Sequence, residues 1–357
     1  MGAGVLPLLA LIGLLMVDLA PAEAAEHRSW EELLERVVSG DGDAAHTGEI
    51  LWVNWVGGES RAHVADVASG GGELLLRGPG SRMVWLTPDG GLLTDGEGGA
   101  ELDLPPSRPT RLAPDMMADK YDIEVIGRQS LLDRPATLLE VRRRDGGVLR
   151  ERLWLDDKSG LLLRRESYDG GTLRRLYTYL SLNLETSASQ NPAGSRGLSP
   201  GLTRLAPRPG AVEGVAADQL ATLRQAGFHV PERLPEGYVV DGIFPGAENR
   251  QPLQLIYDDG VYTVSLFQQR GSIDWEALPP GGQTVKALGD RALEWPGAVP
   301  RRLVWEAGGI TYTLVGDAPP NEFLAIAAGL PHDEANHPWR RFRDGLSRLW
   351  SLVSSWS

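Results

Sequence analysis

The chain has 357 residues, is 42% hydrophobic and 23% charged, carries a formal net charge of −13 and contains no cysteine. That length and composition support two domains with real cores. The acidic balance excludes broad nucleic-acid affinity, which needs concentrated Lys and Arg, and the missing thiol excludes disulfides and thiolate metal sites.

Residues 5–20, VLPLLALIGLLMVDLA, form an apolar run followed by PAEAAE, where Ala22-Glu23-Ala24 is a small-x-small cleavage pattern. Residues 1–25 therefore read as a secretory signal. No Lys or Arg precedes the run, so an N-terminal membrane anchor is the alternative. Either one sends the remainder across a membrane, to a periplasmic or extracytoplasmic location. No second apolar span of about 20 residues follows.

Ser29-Trp30-Glu31-Glu32 is a capping box that opens a helix through Val38. Short apolar and β-branched segments then alternate with Gly, Ser and Pro-Asp-Gly breaks: 48–55, 60–68, 72–78 and 82–87. Further strands are expected at 121–129, 136–144 and 173–182. In RERLWLDDKSGLLLRRE, residues 150–166, two patterned arms flank a five-residue loop. Pairing Leu155 with Leu161 brings Glu151 opposite Arg165 and Arg150 opposite Glu166, and leaves Arg152 facing Arg164. Asp156, Asp157 and Lys158 then read as a solvated hairpin tip, with Gly160 supplying positive φ.

Nine strands before residue 183 predict a large antiparallel sheet wrapped on a helix, or a half-open barrel, over 26–183. Residues 184–213 have the Ser, Pro, Gly and Ala composition of a flexible linker. A helix at 216–226, strands at 237–244, 253–269 and 301–317, and a helix at 320–328 make a smaller α+β domain over 214–335, in which Asp258-Asp259-Gly260 reads as a hairpin turn. The fold class is thus α+β, a large antiparallel curved sheet (half-barrel) with helices plus a smaller antiparallel α+β domain.

Motifs for chemistry are missing. The six histidines form no H-E-x-x-H or H-x-H, and there is no G-x-S-x-G, P-loop or G-x-G-x-x-G after a strand. No catalytic residue, metal site or cofactor is assigned.

The ordered segments YDIEVIGRQSLLDRPATLLEVRRRDGGVLRERLWLDDKSGLLLRRESY (121–168), LPEGYVVDGIF, LIYDDGVYTVSLFQQ and ITYTLVGDAPP resemble the RseB/MucB family of sigma-E regulatory proteins. Ser159 and Asp258 stand where Thr and Ser are commoner in that pattern. The resemblance implies a first domain like the LolA/LppX lipoprotein-binding half-barrels and a second domain that binds the extracytoplasmic segment of a transmembrane anti-sigma factor. It implies that binding shields that factor from regulated proteolysis, and that a lipid, lipopolysaccharide or lipoprotein acyl chain relieves the block. A periplasmic or cell-surface lipid or lipoprotein carrier is the alternative.

Three sets of residues are candidates for these roles. An acyl chain is expected near Leu51, Val53, Trp85 and Trp154, which either pack a core or line a cavity. The strand after Asp-Asp-Gly places Tyr262, Val264 and Leu266 on one face and Phe267 on the other, so one face or the strand edge is expected to meet the partner. The tail, residues 336–357, puts Trp339, Phe342, Trp350 and Trp356 on an apolar helical arc of about 120°. Arg340, Arg341 and Arg348 lie outside that arc, a pattern that suits either docking on the second domain or an anionic membrane surface.

Overall fold

The computed structural model describes residues 29–40, 45–70, 73–78, 83–87, 90–94, 113–184, 202–204, 217–244, 252–288, 291–296, 298 and 300–332. The segments read as a signal (1–25) and as a basic tail (336–357) lie outside the described residues.

Helix α1 (Trp30–Gly40) starts as the capping box predicts, with the Ser29 hydroxyl accepting a hydrogen bond from the Glu32 amide at 3.3 Å. Its apolar stripe, Leu33, Leu34 and Val37, is buried against the sheet residues Leu139, Leu153, Leu155 and Leu162. The sheet is built from β1 (His46–Val56), β2 (Glu59–Gly70), β3 (Glu73–Arg77), β4 (Met83–Thr87) and β5 (Gly90–Thr94). After helix α2 (Pro114–Lys120) come β6 (Tyr121–Leu131), β7 (Arg134–Arg143), β8 (Leu149–Asp156), β9 (Leu162–Asp169) and β10 (Thr172–Leu184), then β11 (Leu202–Arg204). Their order is β11-β5-β4-β3-β2-β1-β10-β9-β8-β7-β6, an open antiparallel sheet of 11 strands. The expected curved sheet is present.

Two expectations about strand pairing change. The segment read as a linker contributes β11, because Leu202–Arg204 pairs with Leu92–Thr94 and extends the sheet edge. In the hairpin, Leu155 pairs with Leu162 rather than Leu161, and a bulge then sets Trp154 against Arg164, Leu153 against Arg165 and Arg152 against Glu166. One extra residue in β9 removes the Arg-Arg mismatch and lays the Arg164 guanidinium over the Trp154 ring, 5.1 Å from its centroid.

The second domain holds α3 (Ala217–Gln225), β12 (Val239–Phe244), β13 (Leu253–Asp258), β14 (Thr263–Arg270), β15 (Gln283–Thr284), β16 (Leu293–Trp295), β17 (Arg301–Ala307), β18 (Ile310–Gly316) and α4 (Pro320–Ala328). Its seven strands run β12-β13-β14-β18-β17-β16-β15, all antiparallel. The two domains share one continuous apolar core, in which Leu34, Met117, Tyr121 and Leu153 of the first join Tyr257, Tyr262, Trp305 and Phe323 of the second.

The Asp156-Asp157-Lys158 tip is a turn as expected, but not a solvated one, since Asp156 is 1% exposed and fully bonded. The Asp156 carboxylate accepts from the amides of Lys158 and Ser159 and from Arg134 Nε at 2.5 Å. The left-handed Gly160 (φ +77°) lets α1 approach, since a Cβ there would sit 3.1 Å from the Arg36 carbonyl oxygen. Burial pushes the Asp156 carboxyl up, but its bonds to Arg134 and the two amides outweigh this and hold it below its ordinary 3.8. Its stabilisation is therefore present above the unfolded value and lost as pH falls below it. Asp156→Asn should cost about 1–3 kcal/mol at pH 7 and should flatten the loss of stability below pH 4. Urea titrations at pH 7 and pH 3 check this, and an unchanged acid limb overturns it.

Candidate functional site

The sheet registers locate the first predicted set. Leu51 pairs with Thr178 and Val64, whereas Trp52 pairs with Tyr177 and His63, so Leu51 and Trp52 point to opposite faces. Leu51 and Val53 form a small cluster with Leu176. Trp154 lies in the same row as Leu51, through Arg164 and Thr178, but three strand spacings away, about 14 Å. Its buried cluster includes Leu138, Leu161 and Leu163 and extends to Trp52 and Tyr177. The structure does not bring Leu51, Val53 and Trp154 into one lining, since Trp154 belongs to the other buried cluster, with Trp52. The Trp85 side chain lies outside the described residues.

The second set needs a larger correction. β14 is a central strand, hydrogen-bonded to β13 on one side and β18 on the other. Tyr262, Val264 and Leu266 are at most 2% exposed and Phe267 is 7% exposed. Both faces and both edges are used, so this strand has no side left to offer a partner. Alternation in sequence reports burial of a face, but not whether the strand is central.

What sequence reading missed lies at the junction of the domains. The Asp-Asp-Gly turn is a real hairpin tip, and it is inserted into the first domain. Gly260 (φ +92°) has no room for a side chain, since a Cβ would stand 2.6 Å from Met117 Cγ and 2.7 Å from the Met117 amide nitrogen. The Ala113 amide donates to the Gly260 carbonyl at 3.2 Å.

Next to it, Asp259 accepts hydrogen bonds from the Tyr121 hydroxyl at 2.7 Å and from the amides of Val261 and Tyr262 at 3.0 and 2.7 Å. It also pairs with Lys120. Lys120 makes a second ion pair with Glu322 at 3.0 Å, and its ammonium lies 4.4 Å from the Tyr238 ring centroid. Glu322, the one acid of the apolar helix α4, is 1% exposed and also receives Arg143 and Arg150, each at 2.9 Å. Two buried carboxylates of the second domain thus meet three cations of the first.

The surplus positive charge is met outward, Arg143 by Asp145 at 2.6 Å and Glu236 at 2.8 Å, Arg150 by Asp169 at 3.7 Å. Burial first, and the neighbouring carboxylates after it, push the Tyr121 and Tyr238 hydroxyls well above their usual value of 10.0, so both remain neutral donors.

A second set of contacts runs beside this one. Arg165, paired with the fully buried Glu151 at 3.0 Å, donates to the Val261 carbonyl at 2.9 Å. Arg175 binds Asp317 at 3.1 Å, and Asp317 in turn accepts from the Thr263 amide at 2.8 Å. The sequence did carry a signal for these residues: Arg150-Glu151 inside an apolar strand and Glu322 inside PNEFLAIAA are charges at core positions, which are kept only when paired.

This arrangement can lock two domains. Among the described residues no helix is long and apolar enough to cross a membrane.

Lys120→Met should cost about 3–5 kcal/mol, because it leaves Asp259 and Glu322 buried with reduced compensation. Equilibrium urea unfolding checks the magnitude, and a change below 1 kcal/mol overturns it.

Residues 99–193 match the family model described as the MucB/RseB N-terminal domain. A crystal structure of MucB is similar at 19% identity and a TM-score of 0.53, covering 84% of this chain and 96% of its own. One of MucB in complex with MucA(peri) is similar at 17% identity and a TM-score of 0.50, covering 85% of this chain and 100% of its own. A LolA superfamily protein of Nitrosomonas europaea covers 45% of this chain and 96% of its own at 12% identity, with a TM-score of 0.22, too low to carry weight. No curated protein matches. The resemblance read from the ordered motifs therefore holds, and the fold, with its two antiparallel sheets, is similar to that of MucB.

Proposed function

We propose that this chain, which carries a MucB/RseB N-terminal domain match and the two-domain MucB fold, is an extracytoplasmic regulator of an alternative sigma factor. It acts by binding the extracytoplasmic segment of a transmembrane anti-sigma factor, as MucB binds MucA(peri) in the complex similar to it. The observation that carries this reading is the extent of the likeness, which includes the second domain and not only the half-barrel. A carrier built on the half-barrel alone needs neither the second domain nor its buried junction.

In this reading the bound segment is withheld from the protease that starts its degradation, and the protein itself catalyses nothing. A lipid or lipoprotein acyl chain in the first domain relieves the block. Each methylene it buries contributes about 0.8 kcal/mol toward shifting the equilibrium between bound and released forms. The basic tail, residues 336–357, holds the regulator at the membrane and raises its effective concentration beside a membrane-embedded partner.

Two measurements test this. Isothermal titration of the full chain with the purified extracytoplasmic segment of the anti-sigma factor from the same genome should give saturable binding, and should slow cleavage of that segment; no binding overturns the function. Sedimentation with anionic liposomes should pellet the full chain and not a chain ending at residue 336. Equal behaviour of the two returns the tail to a role in packing.

A further inference from the structure

A groove of about 400 Å³ lies between the two domains, on the side of the junction where Arg175 meets Asp317. Its size is within the range of about 300–1,000 Å³ typical of ligand sites. The first domain contributes Asn54, Trp55 and Arg174, and the second contributes Pro296, Pro300 and Pro319. Register places Asn54: it stands opposite Arg175, which stands opposite Ser167, which stands opposite Glu151. Residues opposite one another across a sheet share a face. Arg175 reaches Asp317 of the second domain at 3.1 Å, so Asn54 faces the second domain as well.

Three groups in this groove suit a negative ligand. Asn54 is 3% exposed, its side chain makes no hydrogen bond among the described residues, and its Nδ2 is sealed from solvent without an acceptor. A buried amide left unpaired is costly, and turning this carboxamide over about χ2 breaks no bond and presents either end to the groove. Arg174 is 44% exposed, and its partner is Asp169 at 3.8 Å, an acid that Arg150 shares at 3.7 Å. Helix α4 begins at the groove, which Ala318, Pro319 and Pro320 line, and no side chain caps its N-terminus. Its dipole and free amides favour an anion there.

The charged residues of the whole lining are Arg174, Arg175 and Arg301 against Asp169 and Asp317. Arg175 is taken by Asp317, and Arg301 by Glu294. The hydroxyls of Ser167 and Tyr168 are given to Glu151 and Glu166. What is left to recruit a ligand is the Arg174 guanidinium, only partly offset by the shared Asp169. One such charge matches a carboxylate. A phosphate monoester carries about 1.5–2 negative charges at pH 7 and would meet Asp169 and Asp317 without a second uncommitted cation. The remaining lining includes the apolar side chains of Trp55, Pro296, Ala298 and Pro300.

We propose that this groove binds a carboxylate carried on a short apolar body. The carboxylate lies among Arg174, Asn54 and the start of α4, and the body lies against Trp55, Pro296 and Pro300. A fatty acid and a peptide C-terminus share this chemistry. The assignment stands independently of the function proposed above. Because the walls belong to both domains, an occupied groove favours the docked arrangement and raises the melting temperature.

The test uses the full chain and four probes, followed by isothermal titration and thermal melting: hexanoate, hexanamide, acetyl-Ala-Leu with a free carboxyl group, and acetyl-Ala-Leu amide. At least one acid should bind saturably and raise the melting temperature, and its amide should bind about tenfold more weakly or worse. The acid that binds more tightly identifies the source. Arg174→Gln and Asn54→Leu should each weaken binding of that acid about fivefold or more. Without a probe, Asn54→Leu should melt no lower than the unsubstituted chain, since it removes a buried amide that has no acceptor; a lower melting temperature would assign Asn54 to structure and overturn its place in the site. If a variant does not fold, hydrogen exchange on the unsubstituted chain decides, with protection by the bound acid expected at 317–322. Failure of both acids to bind, equal binding of acid and amide, undiminished binding by the variants, or protection only elsewhere would each overturn the assignment.

Discussion

Two carboxylates buried in the second domain, Asp259 and Glu322, are the constraint on which this structure depends. Removing an ionised carboxylate from water costs several kcal/mol unless it is paired and hydrogen-bonded. The cations that pair with these two, Lys120, Arg143 and Arg150, all come from the first domain. The second domain supplies amides and the Tyr238 hydroxyl, but no cation to them among the described residues. Separating the domains would leave each half with unmatched charge, so the pair behaves as one cooperative unit despite having two sheets.

The same cluster sets orientation, because each of its bonds has a direction. Gly260 must seat against Met117 with no side chain between them, and Lys120 must point at both Asp259 and Glu322. Apolar packing alone would tolerate sliding of one sheet over the other. Charged groups with fixed partners at about 3 Å would not. The junction therefore fixes how the two sheets sit against each other.

Within the sheets, position decides what each strand can do. β14 resembles a partner-binding strand in its alternation, yet it is flanked by β13 and β18 and has no free edge. In the first domain Leu51 and Val53 pack in one buried cluster and Trp154 in another. In both cases the residues of interest satisfy the sheet before any ligand.

The sequence by itself determined the local elements. The capping box at Ser29, the period-two strands, the Asp-Asp-Gly turn and the α+β class follow from interactions between near neighbours, which are encoded within a few residues. The order of motifs along the chain was enough to indicate the MucB/RseB resemblance. It could not indicate the bulge in β9, the strand at 202–204 or the central place of β14, because each depends on which strand lies alongside. The pairing of Lys120 with Asp259 and Glu322 spans 139 and 202 residues. Charges at core positions signal that partners must exist, but only the tertiary structure decides which ones, since pairing a buried charge is a matter of distance in space.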